Sequence, residues 1–393
     1  MIETSSQARG RSWLMFAAAA AATCAANATW WMQPLLMHEL AVERGLQEFY
    51  AGIIISVEMA ALALTTVVAA RLLAGFRLRA LALAGIGLAL VAGLVSPFAD
   101  NLPLILVLRA LCGVGAGLAL TTSNIIAARF PDPDKAFARM SLCSIFFGVV
   151  LVGSTPILQS RFGVDSIFWI MSLGFALLLP IVFALPSNLT LDSPQPAAME
   201  IRRAHRRRIF WLAGVTFATG CASGIMWVFY FLIGQEAGLS AAGVDTAISI
   251  AILAAICSTG LASLIGSQFG RLAPMGGGLL LLGASIFALS NHPGPLLFQA
   301  ATMGNVAAIY FLTPYLFGAA ADADSTGRGA VYVGGAFFLT GAVGPALGGF
   351  IAEHLGMAPL GIISIVLAVG TFLLFVAMER ASARASERVI LPG

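Results

Sequence analysis

The sequence predicts an all-α membrane protein with twelve transmembrane helices in two pseudo-symmetric six-helix bundles, and three observations carry that prediction. Apolar residues make up 59% of the 393 and charged residues only 10%, with a mean hydropathy of +0.94. A soluble domain carries roughly a quarter charged residues, so lipid rather than water is the main solvent here. Twelve apolar stretches approach or exceed the roughly 20 residues that a helix needs to cross the hydrocarbon. Finally, the basic residues fall almost entirely on one side of those stretches.

The spans run near residues 13–38, 48–71, 80–99, 103–128, 138–160 and 166–185, then 209–234, 241–265, 274–291, 294–320, 329–352 and 357–378. Continuous runs of this length are helices, because a barrel strand is short and alternates. Arg9 and Arg11 precede an alanine-rich stretch that resembles a signal peptide. The apolar run continues through Trp30 and Trp31 to Leu36, longer than a signal core, so it is expected to stay as the first span.

With a cytoplasmic N-terminus, cytoplasmic segments hold eighteen of the 21 Lys and Arg residues. The outer loops hold two, Arg44 and Arg161, and one, Arg109, lies inside a span. This positive-inside bias puts both termini in the cytoplasm of a multi-pass protein of the inner (plasma) membrane. The longest polar stretch, 186–208, contains Pro194, Pro196 and the run Arg202, Arg203, Arg206, Arg207, Arg208. It is expected as a cytoplasmic linker between bundles 1–185 and 209–393, its arginines touching anionic headgroups. Asn188-Leu189-Thr190 matches a glycosylation pattern but falls on the cytoplasmic side.

An internal repeat supports the division. Phe76, followed by Arg77 and Arg79, has a counterpart 193 residues on in Phe269, followed by Gly270 and Arg271. Gly148 corresponds at the same offset to Gly341.

Twelve spans, a basic central loop and three local motifs resemble the major facilitator superfamily of secondary transporters. In span 4, Arg109-Ala110-Leu111-Cys112-Gly113-Val114-Gly115-Ala116-Gly117 is similar to that family's arginine followed by spaced glycines. Phe162-Gly163 before Ile167-Phe168-Trp169-Ile170 resembles its lead into span 6. Gly341-Ala342-Val343-Gly344-Pro345-Ala346-Leu347-Gly348-Gly349 in span 11 resembles its antiporter motif. The family's motif between spans 2 and 3 includes an Asp, which Ala74 to Arg79 and its second copy, Gly266 to Arg271, both lack. Span 5, where the antiporter motif belongs, has only Gly148, Gly153 and Pro156. The resemblance implies that spans 1, 4, 7 and 10 line a central cavity, that 2, 5, 8 and 11 flank it, and that 3, 6, 9 and 12 face lipid. The polar residues fit: span 3 has no strongly polar side chain over residues 80–95, whereas Asn27, Gln33, Arg109, Asn124, Gln299 and Asn305 sit on spans 1, 4 and 10.

Glu58 is the only acidic residue well inside a span, about nine residues or ~13 Å below the outer end. A carboxylate there costs ~2.5–3.5 kcal/mol, relieved by protonation or by a cationic partner. Arg109 is the only cation within the spans and lies at a similar depth. The two are expected to interact, either as a proton-coupling pair or as a static brace between spans 2 and 4, the remaining alternative being that Glu58 faces a wet cavity without Arg109. Arg109 is also a good fork for the carboxylate of an organic acid.

Asn27, Gln33 and Asn305 either orient a substrate or bond helix to helix. Trp30, Trp31, Trp227 and Tyr230 either form an interfacial belt or stack on an aromatic substrate, and Tyr310 lies deeper. Gly113, Gly115, Gly117, Gly341, Gly344, Gly348 and Gly349 suit close helix packing, and Pro345 local bending.

The five cysteines (Cys24, Cys112, Cys143, Cys221, Cys257) lie in apolar segments without paired spacing, and the four histidines form no cluster. No cofactor or metal is expected. No nucleophile elbow or phosphate loop appears, Gly276-Gly277-Gly278 being isolated at a span start, so an enzyme is not expected. A net charge of +3 gives no reason to expect a nucleic-acid partner. The expected partners of this monomer are a small-molecule substrate, protons and membrane lipid. The expected function is proton-coupled secondary transport of a small organic, amphipathic or aromatic solute, with efflux slightly favoured. The alternative is proton-coupled uptake of an organic acid on Arg109. The C-terminal half offers no mid-span acid, Asp245 lying close to the outer end of span 8, so about one proton per cycle is expected. A fluorescent protein fused after the basic tail (Arg380, Arg384, Arg388) is predicted to fluoresce, and alkaline phosphatase at the same site to be inactive; the reverse pattern inverts the topology.

Overall fold

The computed structural model describes residues 5–72, 75–128, 130, 133–163, 165–190, 202–265, 270–323, 328–356 and 358–390, apart from some side chains within them. Most of the linker, the second copy of the basic-loop motif up to Phe269, and the side chain of Pro345 lie outside what is described. The described chain is helical, because in hydrocarbon a helix satisfies its own backbone polar groups.

The helices are α1 Ser5–His38, α2 Glu48–Leu72, α3 Leu78–Val95, α4 Leu102–Ala128, α5 Pro133–Phe162, α6 Ser166–Phe183, α7 Arg202–Trp227, α8 Tyr230–Glu236, α9 Ala241–Ile265, α10 Leu272–Leu289, α11 Pro295–Ala323, α12 Arg328–Leu355 and α13 Ala358–Ile390. A π-helical turn, Glu39–Glu43, extends α1, and a 3-10 turn, Ser96–Phe98, extends α3. Eleven of the described helices are long and apolar enough to cross a membrane, one fewer than the twelve expected. The helix missing from that count is α1, whose apolar run is diluted by Thr23, Asn27, Thr29 and Gln33. Span 7 is broken: α7 ends at Trp227 and the short α8 resumes at Tyr230.

The first six long helices pack largely on one another, α1 against α4, α5 and α6, α2 against α4, and α3 against α4 and α6. The later helices do likewise, α7 against α11, α12 and α13, α9 against α11, and α10 against α11 and α13. Between the two sets, α2 lies along α12 and α5 along α9. Large apolar side chains on α3, α6, α10 and α13, such as Val91, Leu177, Leu280 and Ile362, are exposed, as lipid-facing positions must be. At the end predicted to be cytoplasmic, the basic segment after α2 docks on the segment after α6. Leu78 N donates to Leu189 O at 2.9 Å, and the Arg79 guanidinium lies 3.9 Å from the Phe183 ring centroid.

Glycine sets the tightest of these contacts. The α-carbon of Gly113 faces the Glu58 carbonyl and Ala61 of α2, and a side chain at Gly117 would meet the Leu62 carbonyl at 2.7 Å. Gly344 of α12 rests on the backbone of Gly224 and Ile225 in α7. These glycines are packing surfaces, the role that missing side chains serve in bundles. Gly113→Val is predicted to destabilise the detergent-solubilised protein by about 1–3 kcal/mol, read as a lower Tm. Gly87→Val, at a position with nothing within 4 Å, is the control and leaves Tm nearly unchanged.

Candidate functional site

Glu58 is 0% exposed and Arg109 1% exposed, and Arg109 Nη1 lies 3.5 Å from Glu58 Oε2. Helix geometry brings them together: each sits two to three turns from the N-terminal end of its helix, and the glycines at 113 and 117 let α2 and α4 close up. Two hydroxyls that the sequence reading missed complete the arrangement. Thr29 of α1 donates to Glu58 Oε1 at 2.7 Å, and Arg109 Nη2 donates to Ser96 Oγ at 2.6 Å. Small polar residues at matching depth on spans 1 and 3 were the available signal.

Magnitude decides what this pair contributes. At 3.5 Å and an effective dielectric of about 20, attraction is roughly 5 kcal/mol. Desolvation costs several kcal/mol for each ion. The two nearly cancel, so net stability is a weak reason for the pair. Removing one partner is costly, which makes the charge state of Glu58 consequential.

Phe168 of α6 joins this pair to a second ionic group. Its ring centroid lies 5.3 Å from the Arg109 guanidinium carbon and 5.0 Å from that of Arg44. Arg44, after the π-helical turn, contacts Glu39 at 3.2 Å and Asp165 at 2.7 Å and donates to the carbonyls of Pro97 and Ala99. Burial pushes the Glu39 carboxyl above the usual carboxylate range, and Arg44 pulls it back.

Two helical residues beyond Thr29, α1 presents Trp31. It stacks on Tyr310 of α11 (5.4 Å, 15°), meets Trp227 edge-on and donates to Ser144 of α5 at 3.3 Å. Trp227 donates from its indole nitrogen to the Trp30 carbonyl at 3.0 Å and packs on Tyr230. Trp30 packs on Phe337 and Phe338 of α12. All four residues of the supposed interfacial belt are buried, none more than 6% exposed. They form a seam between α1 and the later helices, and the belt reading does not hold.

The polar candidates separate. Asn27 is half-buried and its amide nitrogen bonds the Thr23 carbonyl within α1, which fits helix bonding. Asn305 is buried, its Oδ1 accepting from Ser223 of α7 at 2.6 Å, which leaves Nδ2 with no protein partner. Gln33 Nε2 and the Tyr230 hydroxyl are likewise buried without a protein partner. A solute offering acceptor atoms beside an apolar ring would satisfy them. Arg109 is less available to a solute: Glu58 and Ser96 occupy both its terminal nitrogens. Among the described residues no group of three or more His, Cys, Asp or Glu could hold a metal ion.

Comparison with known proteins agrees with this architecture. The sequence profile of the Major Facilitator Superfamily matches residues 18–298, and the chain belongs to that family. It is thus a multi-pass membrane transporter of small molecules, not an enzyme. In structure it is similar to a crystal structure of a mutant of the peptide transporter POT in complex with alafosfalin. The TM-score is 0.70 at 14% identity, covering 93% of this chain and 95% of that one. No curated protein matches the sequence.

A double-mutant cycle isolates the buried pair. Arg109→Gln alone is predicted to destabilise the protein in mixed detergent micelles by about 3–5 kcal/mol. Adding Glu58→Gln is predicted to restore a large part of that loss; strictly additive losses would mean that the pair is not coupled.

Proposed function

We propose that the protein is a proton-coupled secondary transporter of a small organic, amphipathic or aromatic solute, working by alternating access, with export slightly favoured. In this reading residues 1–185 and 209–393 are two six-helix bundles, α1 being the twelfth span, joined by a cytoplasmic linker at 186–208. The packing of helices within each set and the two lines of contact between sets, α2 on α12 and α5 on α9, support that division.

The observation that carries the coupling is that one carboxyl, Glu58, holds both Arg109 of α4 and Thr29 of α1. Thr29 lies two residues from Trp31 and four from Gln33, so α1 links the titratable group to the aromatic seam. When Glu58 is ionised it accepts from both neighbours. When it is protonated it keeps at most part of that bonding, and α1 is freer to shift against α4. Trp31, Gln33, Trp227, Tyr230, Asn305 and Tyr310 form the proposed solute site, and Asn27 has the weakest claim. Gly113, Gly117 and Gly344 let helices slide, and Pro345 is placed with them on the sequence motif alone.

Contacts between the two sets run along α2 and α12, from Gly335 against Val67 to Gly349 against Glu48, and some reach the end predicted to be outer. There Trp227 meets Trp30, His38 stacks on Phe231, and Phe49 packs on Phe350. Either direction of transport passes through a form closed on the outer side, so the slight preference for export rests on the short loops and the span-11 glycine-proline motif. Uptake of an organic acid on Arg109 is the second reading. It is supported by the unpartnered Nε of Arg109 and opposed by the engagement of its other two nitrogens.

Proteoliposomes under an imposed pH gradient, screened with lipophilic cations, aromatic acids and sugars, provide the test. For any solute that is moved, Glu58→Gln is predicted to retain binding while lowering solute-driven proton movement at least tenfold. Proton movement equal to that of the wild type removes Glu58 from the mechanism.

A further inference from the structure

One buried ionisable group has no part in that scheme. Asp245 sits one turn into α9, is 3% exposed, and its Oδ1 meets no protein partner. A lone carboxylate removed from water is among the costliest groups to bury, and with no cation at hand the remedy is to become neutral.

The position of Asp245 gives that remedy a consequence. Ser249, one turn further along the same flank of α9, lies opposite Gly153 of α5: a Cβ at Gly153 would stand 3.8 Å from Ser249 Oγ. The neighbouring Val244 instead faces Gly234 of α8. Asp245 thus lies on the α5 side of the buried face of α9, where the two sets of helices meet, near the outer end. The two helices run antiparallel, so the stretch of α5 around Ile157 is its nearest in register, and Ser160 is level with Ala242.

The surrounding elements bring little charge. Along Pro295–Ala320, α11 has no acidic or basic residue, only the phenols of Tyr310 and Tyr315. From α8 come the buried Tyr230 and the exposed Glu236, and from α5 the exposed Arg161. Within α9, Cys257 is the only other titratable side chain, and it is exposed three turns away. His38, at the end of α1, packs on Phe231 of α8, and Glu39, in the π-helical turn, is paired with Arg44.

We propose that Asp245 is a second proton-binding site, separate from Glu58, whose occupancy decides whether the outer ends of α5 and α9 can close. This rests on the alternating-access reading above. In the closed form Asp245 is the neutral acid. When the ends separate, water reaches the carboxyl, the proton leaves to the outside, and the resulting carboxylate opposes reclosure until a proton returns from the same side. Because the proton enters and leaves on one side, the site adds nothing to net proton flux. It makes closure sensitive to external pH, with acid favouring the closed form.

The test is a spin-label distance measurement on full-length protein in lipid nanodiscs. Labels are placed at Ser160→Cys and Ala242→Cys, both exposed positions, with the five native cysteines replaced. Between pH 5 and 9 the parent is predicted to shift from a short distance to a mixture with a longer one. Asp245→Asn, which mimics the neutral acid, is predicted to stay short throughout. Asp245→Glu is predicted to recover the shift, and Glu58→Gln to keep it. The same pH response in Asp245→Asn as in the parent overturns the proposal, as does a parent that opens with no dependence on pH. If Asp245→Asn fails to fold, the parent and Asp245→Glu decide: the proposal requires a pH-dependent shift in the parent and a displaced midpoint in the variant. A distance that never changes, even with transported solute present, counts against alternating access itself.

Discussion

A carboxyl and a guanidinium in contact, both withdrawn from solvent, fix how α1, α2 and α4 sit together. Neither group is tolerable there alone. Because their attraction is nearly cancelled by the cost of burying both charges, the pair acts as a constraint more than as a source of stability. Each must keep the other within reach, and the glycines of α4 permit that distance. Thr29 and Ser96 take up bonding capacity that Glu58 and Arg109 would otherwise leave unused. A change of charge at Glu58 is therefore felt by α1, α2, α3 and α4 together.

The aromatic seam is the other side of that arrangement. One short stretch of α1 holds Thr29 on the ionic side, Trp30 against α12 and Trp31 against α11, α5 and α7. The proposed proton site and the proposed solute site thus meet one short stretch of α1, Thr29 and Trp31 being two residues apart. On the proposed cycle no long-range relay is needed, because shifting α1 alters both. The charged cluster around Arg44 sits further out, touching the same Phe168 ring as Arg109. It ties the turn after α1 to the residue before α6 through Glu39, Arg44 and Asp165.

Much of the fold was legible in the sequence because lipid imposes a simple rule, that long apolar runs become helices. The predicted edges of most spans agree with the helices to within a few residues. The exceptions have physical reasons. Span 7 breaks after Trp227, a break that apolarity cannot reveal because both sides are apolar. α1 is polar enough to drop out of a count based on apolarity, since it presents side chains to protein on several faces. Within the site, depth matching alone brought Glu58 to Arg109, because two ions at one level in oil have few alternatives. The aromatic residues were not resolvable that way: an interfacial belt and a buried seam occupy the same depth, and only the rotation of α1 and α7 distinguishes them. Asn27 shows the same limit, its amide turned back on the carbonyl of its own helix. Thr29 and Ser96 escaped notice because single hydroxyls are ordinary in apolar helices, and Phe168 was legible only as part of the lead into span 6, not as a neighbour of Arg109 and Arg44.

The account turns on whether Glu58 changes protonation inside the membrane. Infrared difference spectroscopy of the membrane-embedded protein through a pH jump reads that directly, in the carbonyl stretch of a protonated carboxyl. The account predicts a band that grows on acidification in the parent and is missing in Glu58→Gln, with the Asp245 contribution identified separately in Asp245→Asn. Identical spectra for parent and Glu58→Gln across the pH range would mean that Glu58 is a fixed structural ion.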